Sequence, residues 1–186
     1  MNTLVLTRGC PSSGKSTLTR QFYENHYAQR KNNSCVVCSA DDWHMVDGIY
    51  KWHPDKVKFA HTQCQELART AAANCTELIL IDNTSLTERE CRPYLDIAND
   101  HGYIVWLIEA PNNDLPAEEL FKRNVHGVPL ATIERMITKF VPNHKIVSFA
   151  NNNFPDLEIH SANGRDFCTT NWSTPIMSLS TPLATK

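Results

Sequence analysis

An α/β fold, a doubly wound parallel sheet of four to five strands, is what the sequence predicts, and three observations predict it. Short apolar runs alternate with longer helical patterns along the chain. Those runs are continuously apolar, as strands covered on both faces are. A glycine-rich loop joins the first run to the first helix, and in such sheets ligands sit beyond the carboxyl ends of the strands.

Taken in order, Leu4-Val5-Leu6-Thr7 is the first run, and a helix is expected from Ser16 to Asn25, with Leu18 and Phe22 on one face. Cys35 to Cys38 reads as a second buried strand, ending at Ser39-Ala40-Asp41-Asp42. A longer helix is expected from about Pro54 to Asn74, with Phe59, Cys64, Leu67 and Ala71 as its apolar stripe. Leu78 to Ile81 is the clearest strand and ends at Asp82. Thr87 and Glu90 form a capping box for a helix to about His101, which Gly102 stops. Tyr103 to Ile108 is the fourth strand, and Pro116 to Asn124 and Ala131 to Phe140 are two further helices.

Beyond Val141 the pattern fades, and Ile146 to Phe149 and Leu157 to Ile159 are weak edge-strand candidates. The expected organisation is one domain over residues 1–160, with a lid near 116–140. A Ser/Thr/Pro-rich flexible tail, able to recruit a partner, is expected over 161–186. The connections should be right-handed, and the loops after Thr7, Cys38, Ile81 and Ile108 should converge on one crevice.

The 186 residues suffice for one hydrophobic core, with 41% apolar and 20% charged residues. A net charge of −2 is not the footprint of a protein that tracks long duplex nucleic acid, although a small end fits a local basic pocket. No secretory leader or bilayer-length apolar stretch is read, so an intracellular setting, cytoplasmic or nuclear, with free thiols is expected. Cys35 and Cys38 have C-x-x-C spacing, but residues three apart on a strand face opposite ways and do not converge on a metal.

Gly9-Cys10-Pro11-Ser12-Ser13-Gly14-Lys15-Ser16 satisfies G-x-x-x-x-G-K-[ST] in full, between a strand and a helix N-terminus. The glycines permit close backbone approach, successive amides turn inward, and the helix adds the positive end of its dipole. Lys15 is placed to reach β- and γ-phosphates, and Ser16 to coordinate Mg²⁺. This is the pattern of a P-loop NTPase or kinase binding ATP or GTP. A guanine-reading Asn-Lys-x-Asp is missing, and Asp82-Asn83-Thr84-Ser85 stands where a GTPase switch carries Asp-x-x-Gly.

Asp82 instead ends its strand in the Walker-B manner, near the metal. Asp41 is the candidate acceptor base, because a carboxylate can take the proton of an attacking hydroxyl. Asp42 is expected to cap the turn that follows. Trp43, Tyr50 and Trp52 lie in a stretch that is neither strand nor clear helix, and they either stack on an acceptor or pack a lip. Arg123, beside Lys122 and before Gly127 and Pro129, is the candidate lid cation for charge on the transferred phosphoryl group.

The loop Gly9 to Thr17, Ser39-Ala40-Asp41-Asp42, Ile81-Asp82-Asn83-Thr84 and Arg123-Asn124-Val125-His126-Gly127-Val128 occur in the order seen in a known family. Over residues 1–141 the chain resembles the P-loop 5′-hydroxyl polynucleotide kinases. It is most similar to their Nedd-four-binding-protein-two-like branch, including Asp47-Gly48-x-Tyr50 and Pro93-Tyr94. The resemblance implies ATP-dependent, Mg²⁺-assisted phosphorylation of a 5′-hydroxyl on DNA or RNA, with Lys15, Asp41 and Arg123 catalytic. It implies nucleotide contacts from Gly9, Cys10, Pro11, Ser12, Ser13, Gly14, Lys15, Ser16, Thr17 and Arg123, and a metal site of Ser16 and Asp82. Acceptor contacts would come from Asp41, Trp43, His44, Thr84 and His126.

His44 and His126 stand where phage-type kinases carry acceptor-side arginines, and a neutral imidazole lacks their bidentate phosphate grip. Ser85 likewise replaces an asparagine. A small-metabolite kinase and an NTP-binding adaptor are therefore the alternatives. The two His-x-Ser/Thr motifs of the related cyclic-nucleotide phosphodiesterases do not occur.

Overall fold

Five strands of the described residues make one parallel sheet in the order β2-β5-β1-β6-β7. The computed structural model describes residues 2–29 and 34–168. β1 (Thr3–Arg8) leads through the glycine loop into α1 (Lys15–Gln29). β2 (Cys35–Cys38) is followed by a 3-10 turn over Ala40–His44 and a small hairpin of β3 (Met45–Val46) and β4 (Ile49–Tyr50). α2 (Val57–Ala73), β5 (Leu78–Asp82), α3 (Glu88–His101) and β6 (Ile104–Glu109) complete the centre of the domain. α4 (Ala117–Lys122), α5 (Leu130–Lys139), α6 (Asn143–Asn153), β7 (Ile159–Asn163) and α7 (Gly164–Cys168) follow.

β1 lies in the middle, paired in parallel with β5 on one side and β6 on the other. The chain runs from β1 out to β2, returns through β5, and then crosses to β6. The loops at the carboxyl end of β1 therefore fan apart there, which opens a crevice beside the glycine loop.

Period-two alternation divides the sheet residues between two apolar layers. Leu4, Leu6, Ile79, Ile81, Val105 and Leu107 face α2, α3 and α6. Val5, Leu78, Leu80, Trp106 and Ile108 face α1, through Leu18 and Phe22, and α7, through Phe167. Each such large apolar side chain contributes roughly 1.5–3 kcal/mol of burial. Cys38 joins the first layer and Cys35 packs against the second, so the two thiols are separated by the sheet. A third, smaller layer of Cys10, Leu86, Leu120 and Ile133 seats α4 and α5 on the glycine loop.

The structure departs from the sequence expectations at identifiable places. Ile146 to Phe149 is not an edge strand but lies inside α6, where Ile146 and Ala150, one helical turn apart, are fully buried. The other weak strand begins at Ile159 and continues to Asn163, so Ser161 to Asn163 belong to the sheet and not to a tail. Its pattern was faint because β7 is an edge strand pairing only with β6 and mixing exposed polar residues with half-buried ones. The rest of the expected tail, from 169 onward, lies outside the described residues.

α2 opens through a 3-10 turn over Pro54–Lys56, and its buried stripe is Ala60, Cys64, Ala68, Ala71 and Ala72. Phe59 and Leu67 point outward instead, at 53% and 37% exposure, because small residues face the sheet and let the helix approach it. Asp47 and Gly48 both have positive φ, 53° and 75°, and make the tight turn of the β3–β4 hairpin.

Candidate functional site

The loop after β1 is shaped by its glycines. Gly9 has φ 148°, and a Cβ there would lie 2.7 Å from Ser13 Oγ and 2.9 Å from Asn113 Oδ1. Gly14 has φ 100° and Ser12 φ 64°, so the backbone bends through conformations that turn successive amides to one side. Leu18 N donates to Gly14 O, the first bond of the α1 ladder, so the amides before it have no helical carbonyl behind them. No acidic residue occupies the first turn of α1, which leaves its positive end uncompensated.

The loop is clamped from two sides. Gly9 N donates to Thr84 O at 3.0 Å, and Cys10 N donates to Asn113 Oδ1 at 2.7 Å. Asn113 Nδ2 in turn donates to Glu109 Oε1 at 3.0 Å, which anchors the loop to the end of β6. Ser13 Oγ and Lys15 Nζ each donate to Cys10 O at 2.8 Å. The ammonium thus hangs inside its own loop, and burial lowers its pKa against the opposing pull of Asp82, Cys10 and Asp41.

Asp82 and Ser16 lie together in this crevice, near enough for the Ser16 hydroxyl to favour the charged carboxylate. Burial raises the Asp82 pKa, opposed by Lys15 and Ser16 and assisted by Asp41 and Asp42. A hydroxyl and a carboxylate side by side are hard oxygen donors of the kind that bind Mg²⁺ through one or two protein oxygens, waters and substrate phosphates. Among the described residues no cluster of three or more His, Cys, Asp or Glu side chains forms a separate metal site.

The turn after β2 carries Ser39, Asp41, Asp42 and His44. Ser39 Oγ accepts from Asp41 N at 3.3 Å and donates to Asp82 O at 3.2 Å, so Ser39, and not Asp42, is the side-chain cap of this turn. Asn83 then fixes the turn to the end of β5. Its Oδ1 accepts from Ala40 N at 3.0 Å, while its Nδ2 donates to Tyr94 Oη at 3.0 Å and to Cys64 Sγ at 3.2 Å. Asp41 itself is exposed and accepts a hydrogen bond from Tyr50 Oη at 3.1 Å. Burial, with Asp41 secondary, pushes the Asp42 carboxyl up.

Lys15, Ser16, Asp82 and Asp41 are therefore gathered at one end of the sheet. His44 and His126 also approach each other, through the Tyr50 ring, whose centroid lies 6.0 Å from His44 and 4.7 Å from His126. Trp43 turns away onto Phe59, with centroids 5.9 Å apart and planes at 89°. Thr84 serves the loop through its carbonyl. Arg123 is the C-cap of α4, where its charge acts on Glu119, and among the described contacts none joins it to the phosphate loop. Pro11 is half-buried and Thr17 exposed at the crevice end of α1.

Asn113 escaped the sequence reading, since it follows a strand in an ordinary-looking Pro-Asn-Asn-Asp turn, Asn83 was visible only as part of the Ile81 to Thr84 motif, and Tyr50 was expected to stack or pack and not to bond Asp41. Tyr50 carried a signal, since Asp47-Gly48 between short apolar pairs marks a hairpin that returns the chain toward the turn.

A family model for an AAA domain matches residues 4–142. The chain belongs to this AAA domain family. The AAA domain described here is 36% identical over 139 residues to NEDD4-binding protein 2 of Homo sapiens, a match covering 74% of this chain and 8% of that protein. The chain thus spans a small fraction of that relative's length.

Among solved structures, a chain of the Pnkp1/Rnl/Hen1 RNA repair complex superposes with a TM-score of 0.55 at 22% identity, covering 82% of this chain and 46% of that one. A gluconokinase from Sinorhizobium meliloti gives 0.51 at 11% identity over 95% of this chain and 86% of its own. The APS kinase CysC of Mycobacterium tuberculosis, in complex with AMPPNP and APS, gives 0.50 at 18% identity over 68% and 70%. These likenesses carry the fold: a parallel five-stranded P-loop kinase-like domain. No helix among the described residues is long and apolar enough to cross a membrane.

Proposed function

We propose that this AAA domain is an ATP-dependent phosphotransferase whose acceptor is the 5′-hydroxyl of an RNA or DNA end. One observation carries the reading: a phosphate loop with its lysine, a Ser16–Asp82 oxygen pair and a second carboxylate, Asp41, share one crevice. Nucleotide binding alone needs no second carboxylate, whereas transfer to an alcohol does.

In this reading the Lys15 ammonium and the amides of Gly14, Lys15, Ser16 and Thr17 hold the β- and γ-phosphates of ATP, or of GTP, inside the loop that Gly9, Cys10, Pro11, Ser12 and Ser13 shape around them. Ser16 and Asp82 hold Mg²⁺, which when bound neutralises charge on the phosphate oxygens. Asp41 accepts the acceptor hydroxyl proton as that oxygen bonds to the γ-phosphorus. The bond to the bridging oxygen breaks and the nucleoside diphosphate leaves with its electron pair. Arg123 comes over the transferred group when the lid, α4 and α5 within 116–140, closes. His44 and His126, both against Tyr50, line the acceptor side, whereas Trp43 packs on Phe59 and Thr84 holds the phosphate loop through its carbonyl.

The nucleic-acid acceptor rests on the motif series Gly9 to Thr17, Ser39 to Asp42, Ile81 to Thr84 and Arg123 to Val128. The RNA repair context named for one structural neighbour is in keeping with it. The histidines at 44 and 126 favour a second reading, a small-metabolite kinase, because neither supplies an arginine's grip on an acceptor phosphate. β7 and α7 carry the catalytic unit beyond residue 160 to residue 168, so a partner-recruiting segment would be confined to the residues after 168. Reduced thiols suit a cytoplasmic or nuclear setting.

Incubation with γ-labelled ATP, Mg²⁺, 5′-hydroxyl RNA or DNA and a panel of sugar and nucleoside alcohols tests the proposal. Label on the oligonucleotide supports it, label on a small alcohol supports the second reading, and no transfer despite ATP binding overturns both. Asp41→Asn should lower kcat by about 10²-fold or more while ATP affinity stays.

A further inference from the structure

Tyr50 belongs to no motif that binds nucleotide, yet it stands at the centre of the acceptor side. Its phenol donates to Asp41 Oδ1 at 3.1 Å. Its ring contacts His44 of the turn after β2 on one side and His126 of the lid on the other, at centroid distances of 6.0 and 4.7 Å. It reaches this place because the hairpin is pinned: Met45 pairs with Tyr50, and Lys51 N donates to His44 O at 2.8 Å. The positive φ values at Asp47 and Gly48 close the turn in two residues, so the ring cannot slide along the strand without breaking that register.

We propose that Tyr50 is a positioning residue that orients the acceptor base and couples it to the lid. This rests on the reading of Asp41 as that base. A carboxylate on an exposed turn has free rotation about two torsions, and a fixed donor on Oδ1 removes that freedom. No side-chain donor among the described residues bonds Oδ2, so that oxygen is left for the acceptor hydroxyl. Burial, together with the charge and hydrogen bond of Asp41, raises the Tyr50 pKa and keeps the phenol a donor.

The lid side follows from the same ring. His126 sits on the segment between α4 and α5, where Asn124 Oδ1 accepts from His126 N at 3.0 Å and Gly127 turns the chain at φ 69°. His126 therefore moves as part of a defined turn. Its contact with Tyr50 is already made in this structure, so the histidine end of the 116–140 segment rests on the acceptor side before Arg123 reaches the phosphate loop. The base is in this way held by the same residue that touches the closing element.

Tyr50→Phe keeps the ring and removes the bond, whereas Tyr50→Leu removes both. In Tyr50→Phe of the full chain, kcat should fall about tenfold with KM for ATP unchanged, the effect of losing one charge-assisted hydrogen bond at the reacting group. The ¹³C signal of the Asp41 carboxyl should move, and the ring-current-shifted His126 ring protons should stay. In Tyr50→Leu the His126 signals should move as well, with a larger loss of kcat. A carboxyl signal unmoved in Tyr50→Phe, or a kcat equal to wild type, overturns the proposal. Failure of the underlying reading looks different: wild type that phosphorylates no acceptor, or Asp41→Asn that keeps full turnover. The carboxyl signal then still decides whether Tyr50 holds Asp41.

Discussion

The backbone amide of Ala40 donates to Asn83 Oδ1 across 3.0 Å, tying the turn that carries Asp41 to the strand end that carries Asp82. Asp41 lies on the turn after β2 and Asp82 at the end of β5, and this bond, with that of Ser39 Oγ to Asp82 O, limits how far apart they can drift. Because Asn83 also donates to Tyr94 Oη and Cys64 Sγ, its side chain is satisfied at both ends in a buried position. Asn83→Ala leaves the Ala40 amide without its acceptor. The expected cost is about 2–3 kcal/mol in a denaturation midpoint experiment, with a lower kcat in whatever remains folded.

Asn113 does for the phosphate loop what Asn83 does for the turn after β2. It accepts from Cys10 N and donates to Glu109, so its loss frees the loop from β6. Asn113→Ala should weaken ATP binding by about tenfold in calorimetry, with a smaller change in stability. A variant that binds ATP as wild type does would remove the clamp from the account.

Arg8 is fully buried at the end of β1, with no carboxylate paired to it among the described residues. Its guanidinium donates to the carbonyls of Ser85, Leu86 and Val141 and to Asn143 Oδ1, and it lies 5.0 Å above the Phe140 ring. The arrangement joins the loop after β5 to the α5–α6 junction. Arg8→Met should destabilise the domain by roughly 3 kcal/mol, since several carbonyls lose their donor at once. The equilibrium unfolding free energy measures it directly.

The fold was largely legible because buried parallel strands leave continuous apolar runs, as Leu78 to Ile81 does, and because the Gly9 to Ser16 spacing allows one geometry. What stayed hidden has physical causes. Ile146 to Phe149 is too short an apolar run to separate strand from helix, and only the register of Ile146 with Ala150 decides it. Phe59 looked like core, yet the helix packs through alanines, which no hydropathy pattern ranks above a phenylalanine. Lys15, Ser16, Asp41 and Asp82 come together as their positions at strand ends demand. Asn83, Asn113 and Tyr50 act through bonds to residues distant in sequence, and such bonds leave no local periodicity. Arg123 and Trp43, in contrast, are not joined to that cluster by any described contact.

Two buried thiols give the domain a pH-dependent stability in the alkaline range. Burial pushes Cys10 up to about 11, against Lys15 and with Glu109, and burial likewise pushes Cys91 up to about 11, opposed by Arg8. The unfolded thiols ionise near 9.0 and the folded ones near 11, so the unfolded state loses protons first. The contribution is complete below the unfolded value and disappears as pH rises through the folded one. The urea midpoint should therefore fall between pH 9 and pH 11, and Cys91→Ala should flatten that fall. At neutral pH both thiols should resist alkylation, while exposed Cys75 reacts.

Titration of the full chain with ATP and Mg²⁺ in a calorimeter, beside Lys15→Ala and Gly9→Ala, tests the central claim that this loop wraps a triphosphate. Saturable one-site heat is expected for the wild type, with a loss of about 10²-fold or more in affinity for both variants, from a missing ammonium and a blocked backbone approach. No heat with ATP or GTP, or equal affinity in all three proteins, would contradict it.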